Sequence, residues 1–233
     1  MSKVVLITGA SSGIGKSTAK LLSKKGFRVY GTGRNPNINE NIGYSLIPLD
    51  VTKSETISLA IDLILEKEGR LDVLVNNAGM GITGPIEDTP TNEMRKVFET
   101  NFFGAIDMMK AVLPQMRKQQ SGTIINVTSI AGYMGLPYRG VYSATKGALD
   151  LVSEAARMEV KEFGVNIVTI APGDVATNIA AGRYHTPVFD NSAYKENYQM
   201  NLDLMDSHVD SGMNPIKMAE KIHQIVNLKQ PIV

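Results

Sequence analysis

Tyr142 and Lys146 stand four residues apart in the run Tyr-Ser-Ala-Thr-Lys. On a helix that spacing puts a phenol and an ammonium on one face. A tyrosine hydroxyl, with a reference pKa of about 10, exchanges protons poorly near neutrality. A neighbouring cation favours the phenolate, so the pair is expected to lower the tyrosine pKa and form a usable general acid/base. Ser129 precedes the pair and follows the β-branched run at 123–127. The carboxyl ends of such runs are where open parallel sheets bind ligands. Two other apolar runs end in the same manner, one at Asn76-Asn77-Ala78-Gly79 and one at Pro172-Gly173. Asn101 lies inside a long helical pattern, where a polar residue must be exposed, bonded or functional.

A second chemistry-bearing feature is the turn Thr8-Gly9-Ala10-Ser11-Ser12-Gly13-Ile14-Gly15, which directly follows a strand pattern and opens a helix. Its glycines allow a tight turn, close approach of backbone to phosphate and close helix–strand packing, and the helix amino end offers free N–H groups to a pyrophosphate. The spacing is Gly-x-x-x-Gly-x-Gly rather than Gly-x-Gly-x-x-Gly. Residues 10–17 also read as a relaxed nucleotide-triphosphate loop, with Lys16 on terminal phosphates, Ser17 on magnesium and Asp50 as the metal-binding acid. Ala10 in place of the first glycine, and Pro48 inside the preceding strand pattern, weaken that reading. After the second strand, Gly33 occupies the place where an acid would bond a ribose 2′-hydroxyl, and Arg34 follows it. A guanidinium there suits a 2′-phosphate by charge and by forked geometry.

The elements that must hold these residues follow from periodicity. Apolar, β-branched runs at 4–7, 27–30, 44–49, 72–75, 123–127 and 165–170 alternate with amphipathic stretches at 14–25, 54–68, 91–117, 142–162 and 215–228. Strands that are apolar at consecutive positions are covered on both faces. The pattern predicts an α/β fold, a Rossmann-like doubly wound parallel sheet in three layers, as a single domain over 1–233. The final residues, 230–233, look like the beginning of a strand. The 233 residues carry 24 Lys plus Arg against 23 Asp plus Glu, a balance that disfavours nucleic-acid binding. With no cysteine, a disulfide framework and thiol chemistry are excluded, and no run is long and apolar enough to span a bilayer. A cytoplasmic location is the expectation.

In this order and spacing the motifs resemble the short-chain dehydrogenase/reductase family: the glycine turn, Asp50, the 76–79 motif, Asn101, Ser129, Tyr142/Lys146 and Pro172-Gly173. The resemblance implies an oxidoreductase in which Tyr142 exchanges a proton with a carbonyl or alcohol oxygen held by Ser129. It implies that Lys146 also bonds the nicotinamide ribose and that Asn101 supports a water chain towards Lys146. Gly9, Ser11, Ser12, Gly13, Ile14 and Gly15 would surround the pyrophosphate. Asp50, Val51, Asn77, Ala78 and Gly79 would meet the adenine side, with Asn76 nearby, and Pro172, Gly173, Val175 and Thr177 would hold the nicotinamide. Arg34 selects NADP(H) over NAD(H) as the expected cofactor, and no metal site is expected. A catalytically silent NADPH-binding sensor of the same fold is the alternative.

Residues 174–214 are rich in Asn, Asp, Tyr and Met, which suggests a lid or binding segment. Met80, Ile82, Ile130, Tyr133, Met134, Tyr138, Tyr184, Phe189, Met200 and Leu204 are candidate walls for an apolar carbonyl or alcohol substrate. Similar proteins form dimers or tetramers through the helices at 91–117 and 142–162. Here those helices carry Phe98, Phe102, Phe103, Met109, Leu149, Val152 and Met158, so a homo-oligomer is expected.

Overall fold

Alternation divides the first strand between two cores. In β1 (Val4–Ile7), Val4 and Leu6 join one apolar cluster while Val5 and Ile7 join the other. The same split recurs in β4 (Val73–Asn76), where Leu74 packs on one side and Val73 and Val75 on the other. With β2 (Arg28–Gly33), β3 (Ser45–Pro48), β6 (Gly122–Val127) and β7 (Val165–Ile170), these strands form a sheet. All pairs are parallel, and the order is β3-β2-β1-β4-β6-β7. The computed structural model describes residues 2–37, 42–176, 182–207 and 212–228.

Helices cover both faces. Residues of α2 (Ser54–Glu68), α4 (Gly104–Gln119) and α5 (Gly140–Val160) fill the cluster that contains Leu6 and Leu74. Residues of α1 (Gly13–Lys24) and α7 (Pro215–Asn227) fill the cluster that contains Ile7 and Val75. This is the expected three-layer, doubly wound parallel α/β sheet of Rossmann-like type. Its winding reverses between β1 and β4, so a crevice opens at their carboxyl ends.

Three departures from the sequence pattern have physical causes. The helix expected over 91–117 is α3 (Thr91–Phe98), then a wide π segment at Glu99–Phe103, then α4. One surplus residue is accommodated there, and Asn101 inside it is 1% exposed. The strand expected at 44–49 shortens to Ser45–Pro48 and lies at the sheet edge, where proline forfeits no outer ladder bond. Of the segment expected as a lid at 174–214, the described residues 174–176, 182–207 and 212–214 have structure of their own. β8 (Tyr184–His185) pairs in parallel with β5 (Ile82–Thr83), α6 (Lys195–Ser207) follows, and Val175 bridges to Met213. The strand expected at 230–233 lies outside the described residues.

Candidate active site

The crevice at the switch point is a cleft of about 700 Å³. The turn after β1 forms its floor. Gly9 (φ +66°) and Gly13 (φ +54°) adopt left-handed conformations that side chains rarely tolerate. A Cβ on Gly15 would lie 2.4 Å from the Gly9 carbonyl oxygen and 2.5 Å from Asn77 Nδ2, so this position is closed to any larger residue. Ser12 caps α1 in extended conformation without a side-chain bond, leaving the first helical N–H groups directed at the cleft mouth. Asn77 braces the turn by donating to the carbonyls of Thr8 (2.9 Å) and Gly9 (3.1 Å). Thr8 returns the tie, its hydroxyl accepting from the N–H groups of Asn77 and Ala78, both at 2.9 Å.

Gly9, Ser11, Ser12, Gly13, Ile14, Arg34, Asp50, Val51, Asn77, Ala78 and Gly79 all line this cleft, whereas Gly15 supports it from beneath. Lys96, Glu99, Thr100 and Gly182 join them, which sequence reasoning missed. Lys16 and Ser17 do not line it, so the triphosphate-loop reading loses its two key groups. Asn76, expected on the adenine side, turns the other way. It donates to the Ala105 carbonyl (3.1 Å) and Asn126 Oδ1 (2.9 Å), and Asn126 donates to Ser153 (2.7 Å). Burial pushes the Asp50 carboxyl up, but bonds from Thr52 and the charges of Lys53 and Arg34 outweigh it, leaving the group below the usual carboxylate range.

Ser129, Tyr142 and Lys146 do not line the cleft itself but gather next to it, Lys146 Nζ lying 3.7 Å from where a Cβ on the cleft-lining Gly79 would stand. Ser129 follows β6 and is buried; its hydroxyl accepts from the Ala131 N–H at 3.2 Å and hydrogen-bonds the Tyr142 phenol. Pro172 lies beside it, its carbonyl accepting from the Ile130 N–H at 3.0 Å, and Gly173 is close to the Ile130 side chain. Lys146 is buried on α5, with Nζ donating to the Val127 carbonyl (2.9 Å) and lying 5.9 Å from the Tyr142 ring centre. Burial pushes this amine down to about 8, with Asp150 acting against the shift.

The expected lowering of the tyrosine pKa is corrected here. Burial pushes the Tyr142 phenol above its ordinary value; Ser129, Arg139 and Arg183 pull it down, and Asp174 pushes it further up. The sequence displays the charge beside the phenol but not the desolvation of both partners. Asn101 is fully engaged: Oδ1 accepts from the Met80 N–H (2.8 Å), and Nδ2 donates to the Met80 carbonyl (2.9 Å) and Thr145 Oγ1 (3.2 Å). Val175 is half-buried on its bridge to Met213, and Thr177 lies outside the described residues.

Of the candidate substrate walls, Ile82 is buried. Ile130, Tyr133, Met134, Phe189, Met200 and Leu204 are exposed apolar side chains, and Met80 and Tyr184 are half-buried. Tyr138, at φ +58°, sets its ring 5.3 Å from that of Tyr198 and lines a smaller hollow of about 390 Å³ with Ile82, Pro85, Leu136 and Val141. Tyr198, which the sequence did not single out, is 1% exposed and donates to the carbonyls of Thr83 and Thr186. Among the described residues, no three His, Asp or Glu side chains gather to hold a metal ion, and no helix is long and apolar enough to cross a membrane.

The chain resembles known proteins along its whole length. A 3-ketodihydrosphingosine reductase of Bacteroides thetaiotaomicron is 43% identical over 231 residues, 98% of this chain and 85% of the relative. A probable short-chain type dehydrogenase/reductase of Helicobacter pylori, VdlC, is 33% identical over 94% of this chain and 82% of its own. A short-chain dehydrogenase from Streptomyces avermitilis superposes with a TM-score of 0.88 at 35% identity, covering 99% of this chain and 86% of that one. The NADP-bound structure of ElxO superposes at 0.82 with 30% identity, over 100% and 94%. Residues 3–187 match the short chain dehydrogenase family model. The chain therefore belongs to the short-chain dehydrogenase/reductase family of oxidoreductases.

Proposed function

We propose that this protein is a cytoplasmic, NADP(H)-dependent oxidoreductase that interconverts a ketone and an alcohol on an apolar, long-chain substrate. The observation that carries the reading is the gathering of Ser129, Tyr142 and Lys146 at the end of the cleft's parallel sheet. The relative named as a 3-ketodihydrosphingosine reductase supports a long-chain 3-ketone as the substrate class. The exposed apolar side chains of Ile130, Tyr133 and Met134, directly after Ser129, suit such a chain.

The residues present fit a dinucleotide. The glycine turn has no room for a Cβ at Gly15, the helix end above it is uncapped by a side chain, and Arg34 stands at the cleft rim where a 2′-phosphate would lie. When bound, the reduced dinucleotide supplies the hydride to the carbonyl carbon. Ser129 holds the carbonyl oxygen, and Tyr142 transfers its proton to that oxygen as the C–O π bond breaks, becoming a phenolate that solvent reprotonates. In oxidation Tyr142 takes the proton back. Lys146 would bond the ribose hydroxyls of the bound dinucleotide and stabilise the phenolate. Asn101 holds the backbone of Met80, which lines the cleft.

Residues 182–207 would cover the substrate, with β8 docked on β5 as their anchor. We assign a homo-dimer or homo-tetramer to the exposed faces of α4 and α5, where the π-segment Phe103 is 48% exposed, Leu151 70% and Met158 67%. Met109 and Leu149, expected on this face from their sequence positions, are buried in the monomer core and contribute nothing to it.

A panel of long- and short-chain ketones, assayed by loss of NADPH absorbance, tests the reading. Turnover is expected with long-chain 3-ketones. Tyr142→Phe is expected to lower it by about 10²–10⁴-fold while NADPH binding survives. NADPH binding without turnover on any ketone would make the protein a silent sensor instead.

A further inference from the structure

The turn that carries Tyr142 is held weakly from within. It is the first turn of α5. Arg139 stands at its cap without a side-chain bond, and Gly140 follows in open space, where a Cβ would meet nothing within 4 Å. A glycine there leaves the backbone more freedom than another residue would. The buried Ser143 hydroxyl, next to Tyr142, has no hydrogen-bond partner among the described residues. A group that must meet a substrate oxygen in one geometry needs a firmer seat than this.

Thr145 supplies that seat from the side. The residue is 0% exposed, and its hydroxyl donates to the Tyr142 carbonyl at 2.7 Å. Threonines within helices commonly make that bond. What sets Thr145 apart is a second bond at the same oxygen: Asn101 Nδ2 donates to it at 3.2 Å from the π segment, across the gap to another helix. The remaining bonds of the Asn101 amide go to the main chain of Met80, which lines the cleft. A series of hydrogen bonds therefore runs from the cleft wall through the Asn101 amide and the Thr145 hydroxyl to the Tyr142 backbone. The same wall approaches Lys146, since a Cβ at Gly79 would stand 3.3 Å from Asn101 Oδ1 and 3.7 Å from Lys146 Nζ.

We propose that Thr145 is a positioning residue for Tyr142: its hydroxyl fastens the loosely capped turn to Asn101, and through it to the cleft wall, fixing the separation of phenol and dinucleotide. The inference rests on the proposed acid/base role of Tyr142 for its functional meaning, whereas the tie itself can be observed without substrate.

Thr145→Val removes the hydroxyl and keeps the size and shape of the side chain; Thr145→Ser keeps the hydroxyl. In Thr145→Val the kcat for ketone reduction should fall about 10- to 100-fold, while KM and the NADPH Kd change by less than about twofold. Thr145→Ser should recover most of the loss. A merely structural bond would lower Tm in Thr145→Val and leave the kcat of the folded enzyme unchanged. Added to Asn101→Ala, Thr145→Val should cost little more than Asn101→Ala alone, because both remove the same link. Without substrate, the side-chain amide signals of isotopically labelled asparagine report the tie in nuclear magnetic resonance spectra, the Asn101 pair being the one absent from Asn101→Ala. That pair should shift in Thr145→Val and return in Thr145→Ser. Thr145→Ala, which also lacks the hydroxyl, takes the place of Thr145→Val if the latter folds poorly. An unmoved amide pair, or an unchanged kcat in a folded variant without the hydroxyl, would overturn the inference and leave the proposed reaction intact. A shifted pair in a protein that reduces no ketone would overturn the proposed reaction and leave the tie standing.

Discussion

The dinucleotide cleft and the region beside it are built by different means. At the dinucleotide end, main chain does the work: Gly9, Gly13 and Gly15 shape the turn, and Thr8 and Asn77 tie it to the neighbouring strand, so the floor is made at the ends of adjacent strands. At the substrate end, side chains from segments a hundred residues apart meet through a ribbon two residues long, and its security rests on Thr186, Thr89 and Tyr198. Local backbone geometry tolerates almost no substitution but needs no partner from afar. The ribbon allows its exposed residues to vary freely while depending on a few buried hydroxyls. A fold that fixes one ligand and varies another benefits from this division.

Substitutions can break that comparison or sharpen it. Gly15→Ala should have the largest effect, since its Cβ meets backbone at 2.4 Å and cannot be relieved by a rotamer change. About 1–3 kcal/mol of strain is expected, read as a roughly 5- to 150-fold weaker NADPH Kd by fluorescence titration. Arg34→Ala should cost about tenfold in preference for NADPH over NADH, measured as the ratio of kcat/KM values, because a charge-assisted phosphate contact is lost. A parent enzyme that already prefers NADH would remove Arg34 from the phosphate site.

Lys146 offers a test through pH. Its amine titrates near 8 in the fold against 10.5 in the unfolded chain. Below pH 8 both forms carry the charge and the burial penalty is felt in full. Between the two values the unfolded chain holds a proton that the native chain has released, so this residue's contribution to stability rises with pH. Without dinucleotide, Lys146→Met should therefore raise Tm at pH 7 by about 2–4 °C, with the gain shrinking towards pH 10. A lower Tm at pH 7 would mean that the bond to the Val127 carbonyl outweighs desolvation. Tyr198→Phe should be mildest, costing about 1 kcal/mol. It should raise KM for the ketone several-fold without touching the NADPH Kd, and equal losses at both sites would deny the separation of the two ends.

How much of this was legible in the sequence follows the same division. The glycine turn can be read because positive φ and close backbone approach restrict residue type at single positions. Tyr142 and Lys146 can be read because helical spacing places them together. Nothing local announces Tyr198 against the carbonyls of Thr83 and Thr186, since only the pairing of β8 with β5 brings those two together. The sign of the Tyr142 shift was missed because burial, unlike charge, is a property of the whole packed core. Asn76 and Asn77 are identical residues in one motif, yet β4 ends between them, so one side chain reaches α4 and β6 while its neighbour braces the turn.

The π segment carries a consequence of its own. An α-helix turns about 100° per residue, so the surplus residue in Glu99–Phe103 sets the angular phase of everything before it relative to α4. Deleting one residue there, and letting the helix run on regularly, would swing Lys96, Glu99 and Thr100 away from the cleft they now line. The outer bank of the dinucleotide channel thus depends on a counting irregularity, secured by one amide clasped to the main chain of Met80.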